Sequence, residues 1–140
     1  MLLIPLFIAI CSYPAISQNL MIGTQAERTV AGYQYGGSLL YETSKQWAYG
    51  GFYQTAFSKP NESTPQNLFY GIHIQVPLVT SERLSFFATF RGGLVNKQFA
   101  AVIPGLETRI SISKRLSLAV GMSMRMSYPA ISSKLIIKLF

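Results

Sequence analysis

The stretch Leu116-Ser117-Leu118-Ala119-Val120-Gly121-Met122-Ser123-Met124-Arg125-Met126-Ser127 decides how the chain is read. Leu116, Leu118, Val120 and the three methionines share one parity, while Ser117, Ala119, Gly121, Ser123, Arg125 and Ser127 share the other. A repeat of two belongs to a β-strand, whose successive side chains point to opposite faces. A helix would instead group apolar residues at i, i+3 and i+4, and no such stripe occurs. The run is also long, since strands of soluble proteins usually measure about 5–6 residues.

The same alternation recurs outward from this stretch. Gly32–Glu42 sets Tyr33, Tyr35, Leu39 and Tyr41 against Gln34, Ser38 and Glu42, and Trp47–Phe57 sets Trp47, Tyr49 and Tyr53 against Ala48, Phe52 and Gln54. Further strands are expected over Leu68–Leu78, Leu84–Leu94, Leu106–Ser113 and about Lys134–Phe140, and a weaker first strand over about Leu20–Ala26 completes eight. Three connections read as tight: Thr43–Gln46, Val79–Arg83 and Lys114-Arg115. Those over Ser58–Asn67, Asn96–Gly105 and Tyr128–Ser133 read as longer loops, and Glu27–Ala31 as a short one. Short turns on one side and long loops on the other predict an up-and-down barrel with both termini on the short-turn side.

Composition restricts the setting. In 140 residues, 49% are hydrophobic, 13% aromatic and only 12% charged, against roughly 25% charged in an average soluble domain. The length suits one domain. Disorder is excluded, because it needs low hydrophobicity and high charge. The formal net charge is +7, but the basic residues are scattered singly apart from Lys114-Arg115, whereas nucleic-acid binders cluster theirs. No nucleic-acid partner is expected.

The N-terminal apolar run Leu2–Ile10 is too short to span a bilayer as a helix. It is followed by Pro14 and then Ala15-Ile16-Ser17, a small-x-small pattern of the kind signal peptidase accepts. Residues 1–17 are therefore read as a cleaved signal peptide, with cleavage between Ser17 and Gln18 and the barrel domain over 18–140. No Lys or Arg precedes the apolar run. Removal of this segment also removes Cys11, so neither a disulfide nor thiol chemistry is expected.

Volume assigns the faces. The interior of an eight-stranded barrel holds little more than its own side chains. The apolar parity, rich in Tyr, Phe, Leu and Ile, is too bulky to fit there, whereas the Gly-, Ala- and Ser-rich parity fits. The apolar face is thus expected to point outward to lipid, which requires strands of roughly 9–11 residues and a closed ladder. Trp47, Tyr49 and Tyr41 at one end and Tyr33, Phe57, Tyr70 and Tyr128 at the other would form the interfacial girdles.

Taken together, the signal peptide, the eight alternating strands, the one-sided loops and the terminal Phe140 resemble a small outer-membrane β-barrel. The likeness is to OmpA/OmpX-type eight-stranded barrels, in a form similar to the small barrels of Bacteroidota. It covers 18–140 and is one of pattern. Phe140 falls on the parity of Lys134, Ile136 and Lys138, out of phase with Leu135, Ile137 and Leu139.

Candidate chemistry lies on the inward parity. Arg91, Glu107 and Arg125 are expected at similar heights on neighbouring strands, with Arg109 slightly lower and Glu107 between two arginines. His73 is expected in the lumen near Thr89. Such buried charges must be paired, and the reading is a salt-bridge plug, with an anion-attracting pore as the alternative. No nucleophile–base–acid set, metal cluster or phosphate loop is found, so neither enzymatic activity nor a cofactor is expected. The pairs Gly36-Gly37, Gly50-Gly51 and Gly92-Gly93 read as sites of barrel curvature. Lys45, Arg83, Lys114 and Arg115 form a basic rim at the short-turn end, facing solvent, anionic head groups or a periplasmic partner.

The function expected is that of an outer-membrane scaffold or a small subunit of an envelope complex, with lipid and other envelope proteins as partners and loops 58–67 and 96–105 carrying any recognition. A small-solute channel, a barrel-embedded lipid-modifying enzyme and a soluble lipocalin-like binding barrel are the alternatives.

Overall fold

A computed structural model describes residues 19–29, 32–56, 68–125 and 128–139. They form eight strands: β1 (Asn19–Thr29), β2 (Gly32–Glu42), β3 (Ala48–Ala56), β4 (Phe69–Thr80), β5 (Leu84–Val95), β6 (Phe99–Ser111), β7 (Leu116–Arg125) and β8 (Tyr128–Lys138). Each strand pairs antiparallel with its neighbours in sequence, and β8 returns to β1, closing the barrel. Closure leaves no sheet edge except where ladders run out at the ends.

The strands are staggered. Following paired residues around the wall from Asn19 leads through Glu42, Ala48, Gln75, Thr89, Gly105, Ser123 and Ala130. The trail regains β1 one step past the Arg28–Ile131 pair, far above its starting point. Such a shift tilts the strands and fixes the barrel's width.

Two glycines show how the wall bends. A Cβ on Gly50 would collide with the Leu39 carbonyl oxygen, and one on Gly93 with that of Tyr70. At these positions adjacent backbones approach more closely than any side chain permits, as a sharply coiled sheet requires. Close strand packing is found at one glycine of each pair, Gly36, Gly50 and Gly93, and not at Gly37, Gly51 or Gly92. In β4 the ladder to β5 slips between Pro77 and Val79, a bulge at the residue that has no N–H to give.

The loop pattern needs correction. The segment 96–105 is no loop: β6 begins at Phe99, paired with Val95, and only Asn96, Lys97 and Gln98 connect the two strands, Asn96 and Lys97 with φ of 52° and 61°. The Gln98 N–H donates to the Val95 carbonyl at 3.1 Å within this turn. Two positive φ values match the twist of a hairpin, which is why Asn is favoured there. Asn96 also ties the turn to the start of β4, its Oδ1 accepting from the Leu68 N–H at 2.9 Å. Likewise, 128–133 belongs to β8, and β1 runs on to Thr29 instead of ending at Ala26. The prolines that suggested loops sit on local edges: above Gly105, β6 pairs with β5 alone, and before Ile131, β8 pairs with β7 alone. Proline is tolerated on an edge. Of the expected long loops, 58–67 lies outside the described residues, as do the signal-peptide segment with Ser17 and Gln18, Phe57 and Phe140.

The face assignment holds along the middle of the described strands, whereas Phe99 and Tyr128, on the inward parity at strand ends, are exposed. Tyr33, Leu39, Ile72, Phe90, Leu106 and Met122 point outward and are exposed, while Gln34, Leu40, His73, Arg91, Glu107 and Ser123 point inward and are buried.

Candidate functional site in the barrel lumen

The lumen is layered. Near the short-turn end Met21, Leu40, Ala48, Ala119 and Ile136 form an apolar cluster, and toward the opposite end Phe52, Phe69, Val95 and Ile103 form another. Between and around them stand the charged side chains, each delivered by the inward parity of its strand, two apiece from β6 (Glu107, Arg109) and β8 (Lys134, Lys138).

One group joins opposite walls. Arg91 of β5 reaches Glu27 of β1 across the barrel, Nη1 to Oε2 at 2.7 Å, with both side chains almost wholly buried. The same Nη1 donates to Gln54 Oε1 at 2.9 Å, and Gln54 Nε2 donates to Glu27 Oε2 at 2.9 Å, closing a triangle over β1, β3 and β5. Arg91 Nη2 donates to Ser123 Oγ at 3.3 Å.

A second group is a chain of alternating charge. Lys138 Nζ donates to Glu42 Oε1 at 2.7 Å, and Arg109 Nη1 donates to Glu42 Oε2 at 3.1 Å. Arg109 Nη2 lies 3.6 Å from Glu107 Oε1, and Lys134 Nζ donates to Glu107 Oε2. Gln75 braces the middle, its Oε1 accepting from Arg109 Nη2 at 2.6 Å and its Nε2 donating to Glu107 Oε1 at 3.1 Å. The Arg109 guanidinium also lies over the Phe87 ring, 4.3 Å from its centroid. In a low-dielectric interior each ion would be prohibitive alone, and this chain leaves none of its charges alone.

Arg125 is separate. It bonds Gln34 and lies 5.3 Å from the Phe69 centroid, half-buried near the mouth opposite the short turns.

The expected cluster is therefore partly redrawn. Arg91, Glu107, Arg109, Arg125 and His73 all face the lumen, as the parity requires. They do not form one layer, however, and Glu107 does not sit between Arg91 and Arg125. Arg91 stands opposite Ile103 on β6, whereas Glu107 stands opposite Phe87 and Gly121, nearer the short turns. Glu107 instead sits between Lys134 and Arg109. The partners missed in the sequence, Glu27, Glu42, Lys134 and Lys138, all lie on the polar parity of their strands. Glu27 escaped because β1 was expected to end one residue earlier.

His73 is fully buried opposite Arg91 in the β4–β5 ladder, and neither ring nitrogen has a hydrogen-bond partner. Its nearest aromatic neighbour is Phe52, edge-on at 6.4 Å. No serine is bonded to it, so the described residues contain no Ser–His pair of the kind nucleophilic catalysis uses. Among the described residues no group of three or more His, Cys, Asp or Glu side chains could hold a metal ion.

No family model and no curated protein matches the chain. Solved structures do. The chain is similar to the de novo designed transmembrane barrel TMB2.3, with a TM-score of 0.71, 13% identity, and 91% of this chain and 99% of that one covered. A structure described as de novo design of transmembrane beta-barrels gives a TM-score of 0.70 at 14% identity, covering 86% of this chain and 95% of that one. The fold is shared with designed transmembrane barrels. Neisserial surface protein A aligns more loosely, with a TM-score of 0.49 and 11% identity over 87% of this chain and 96% of that one.

Proposed function

We propose that the chain is a non-enzymatic outer-membrane barrel of a Gram-negative cell, of the OmpA/OmpX type, acting as a scaffold or as a small subunit of an envelope complex. One observation carries the reading: the side chains that fill the lumen bond across its diameter. The Glu27–Arg91 and Glu42–Arg109 pairs link β1 to β5 and β2 to β6, strands on opposite sides of an eight-stranded ring. A solute path would have to break buried ion pairs, each costing several kcal/mol. The interior is thus used for rigidity, and interaction falls to the surface. The outward apolar belt supports membrane placement, because a soluble monomer tolerates exposed apolar patches of only a few hundred Å².

Planar-bilayer recordings test the closed lumen. Purified barrel is expected to give no ion conductance above the lipid background. Stepwise conductance that falls on Arg91→Gln would replace the scaffold by a channel, and altered lipid A that reverts on His73→Ala in cells would replace it by an enzyme. Chemical cross-linking in native membranes then identifies the envelope partner, with a recurrent heteromeric adduct expected.

A further inference from the structure

The end of the barrel that holds the start of β1, the end of β8 and the β2–β3, β4–β5 and β6–β7 turns (the short-turn end above) carries charges that the lumen does not use. Lys45 lies in the β2–β3 turn, Arg83 in the β4–β5 turn, and Lys114 and Arg115 in the β6–β7 turn; all are exposed, and among these turns only Glu82 opposes them. Among the described residues none of the four basic side chains enters an ion pair.

Their depth is what gives them a role. Each cation lies in a turn ahead of the first outward apolar residue of the next strand: Lys45 before Tyr49 of β3, with the exposed Trp47 between them, Arg83 before Leu84, and Lys114-Arg115 before Leu116. Lying in turns past the strand ends, the charges stand at or just beyond the edge of the apolar belt. That is head-group depth. The same edge carries an aromatic collar of Trp47 and the tilted Tyr41–Tyr49 pair, with ring centroids 5.4 Å apart, and amphipathic aromatics settle at the membrane interface. The turns hold the charges at this level: Ser81 Oγ donates to the Leu84 carbonyl at 2.7 Å, and Ser113 Oγ accepts from the Leu116 N–H at 3.1 Å.

We propose that this rim binds the phosphate head groups of anionic phospholipids in the leaflet that meets the short-turn end. The inference rests on the membrane placement proposed above and adds the lipid class and the side chains that select it. A basic side chain near an anionic surface strengthens attachment about fivefold.

The test uses the full barrel in phosphatidylcholine vesicles containing a trace of spin-labelled phosphatidylglycerol or phosphatidylcholine, read as the fraction of motionally restricted label. Insertion is checked in parallel by the mobility shift between unheated and boiled samples. The wild type is expected to select phosphatidylglycerol several-fold at low salt and to lose that preference at high salt. The combined Lys45→Gln, Arg83→Gln, Lys114→Gln and Arg115→Gln variant should insert but show a preference near one. Arg28→Gln with Lys97→Gln, at the other end, should leave the preference intact. An inserted wild type without preference, or a preference that survives the four turn substitutions, would overturn the proposal. Failure to insert into any vesicle would overturn the membrane placement, and the rim's role with it.

Discussion

Glu107 is the residue on which the lumen chain turns, since it is bonded to Lys134 and Gln75 and lies beside Arg109. Glu107→Ala would leave Lys134 buried without a counter-charge, while Arg109 keeps Glu42, at a cost of about 3–5 kcal/mol. Urea titration of the folded barrel in vesicles should show the midpoint fall accordingly. By contrast, Glu107→Leu combined with Lys134→Met removes both charges and should cost far less, because apolar replacements of buried ion pairs are often neutral. If the double variant were as unstable as Glu107→Ala, the argument from unpaired charge would fail. Which residues would face inward was legible in the sequence, because parity alone decides it. Which acid meets which base was not. Pairing across a lumen depends on the stagger of strands distant in sequence, so Glu107 finds Lys134 of β8 and Arg109 of its own strand rather than Arg91 and Arg125.

At the scale of the elements, hairpin turns and close strand contacts carry the predictions. Lys97 holds a φ of 61° in the β5–β6 turn, a conformation glycine adopts without strain. Lys97→Gly should be neutral or stabilise by up to about 1 kcal/mol, measured in the same urea titration; a loss of more than that would contradict the left-handed conformation at Lys97. Gly50→Ala should do the reverse, because its Cβ would displace the Leu39 carbonyl and loosen the β2–β3 pairing, destabilising by about 1–3 kcal/mol. Strands with strict alternation, such as β7, were readable almost to the residue. The start of β6 was not, since Pro104-Gly105 mimics a loop, and nothing local reveals that β6 is an edge at that height. The Asn96-Lys97 turn was hidden for a related reason: it uses αL geometry without the glycine that normally advertises it.

For the whole molecule, the closed ladder, the filled interior and the apolar exterior describe one object with its polarity reversed relative to a soluble barrel. The sequence reached this through volume: the bulky parity cannot fit inside eight strands, and the small, polar parity can. The biological role did not follow in the same way, because interaction surfaces have no periodicity to read. The account stands most directly on the mobility of the membrane-fraction protein in SDS gels, run unheated and boiled. A closed barrel stapled by buried ion pairs should keep its fold in cold SDS and migrate differently after boiling. Identical mobility before and after boiling, or recovery of the protein in the soluble fraction without detergent, would contradict it.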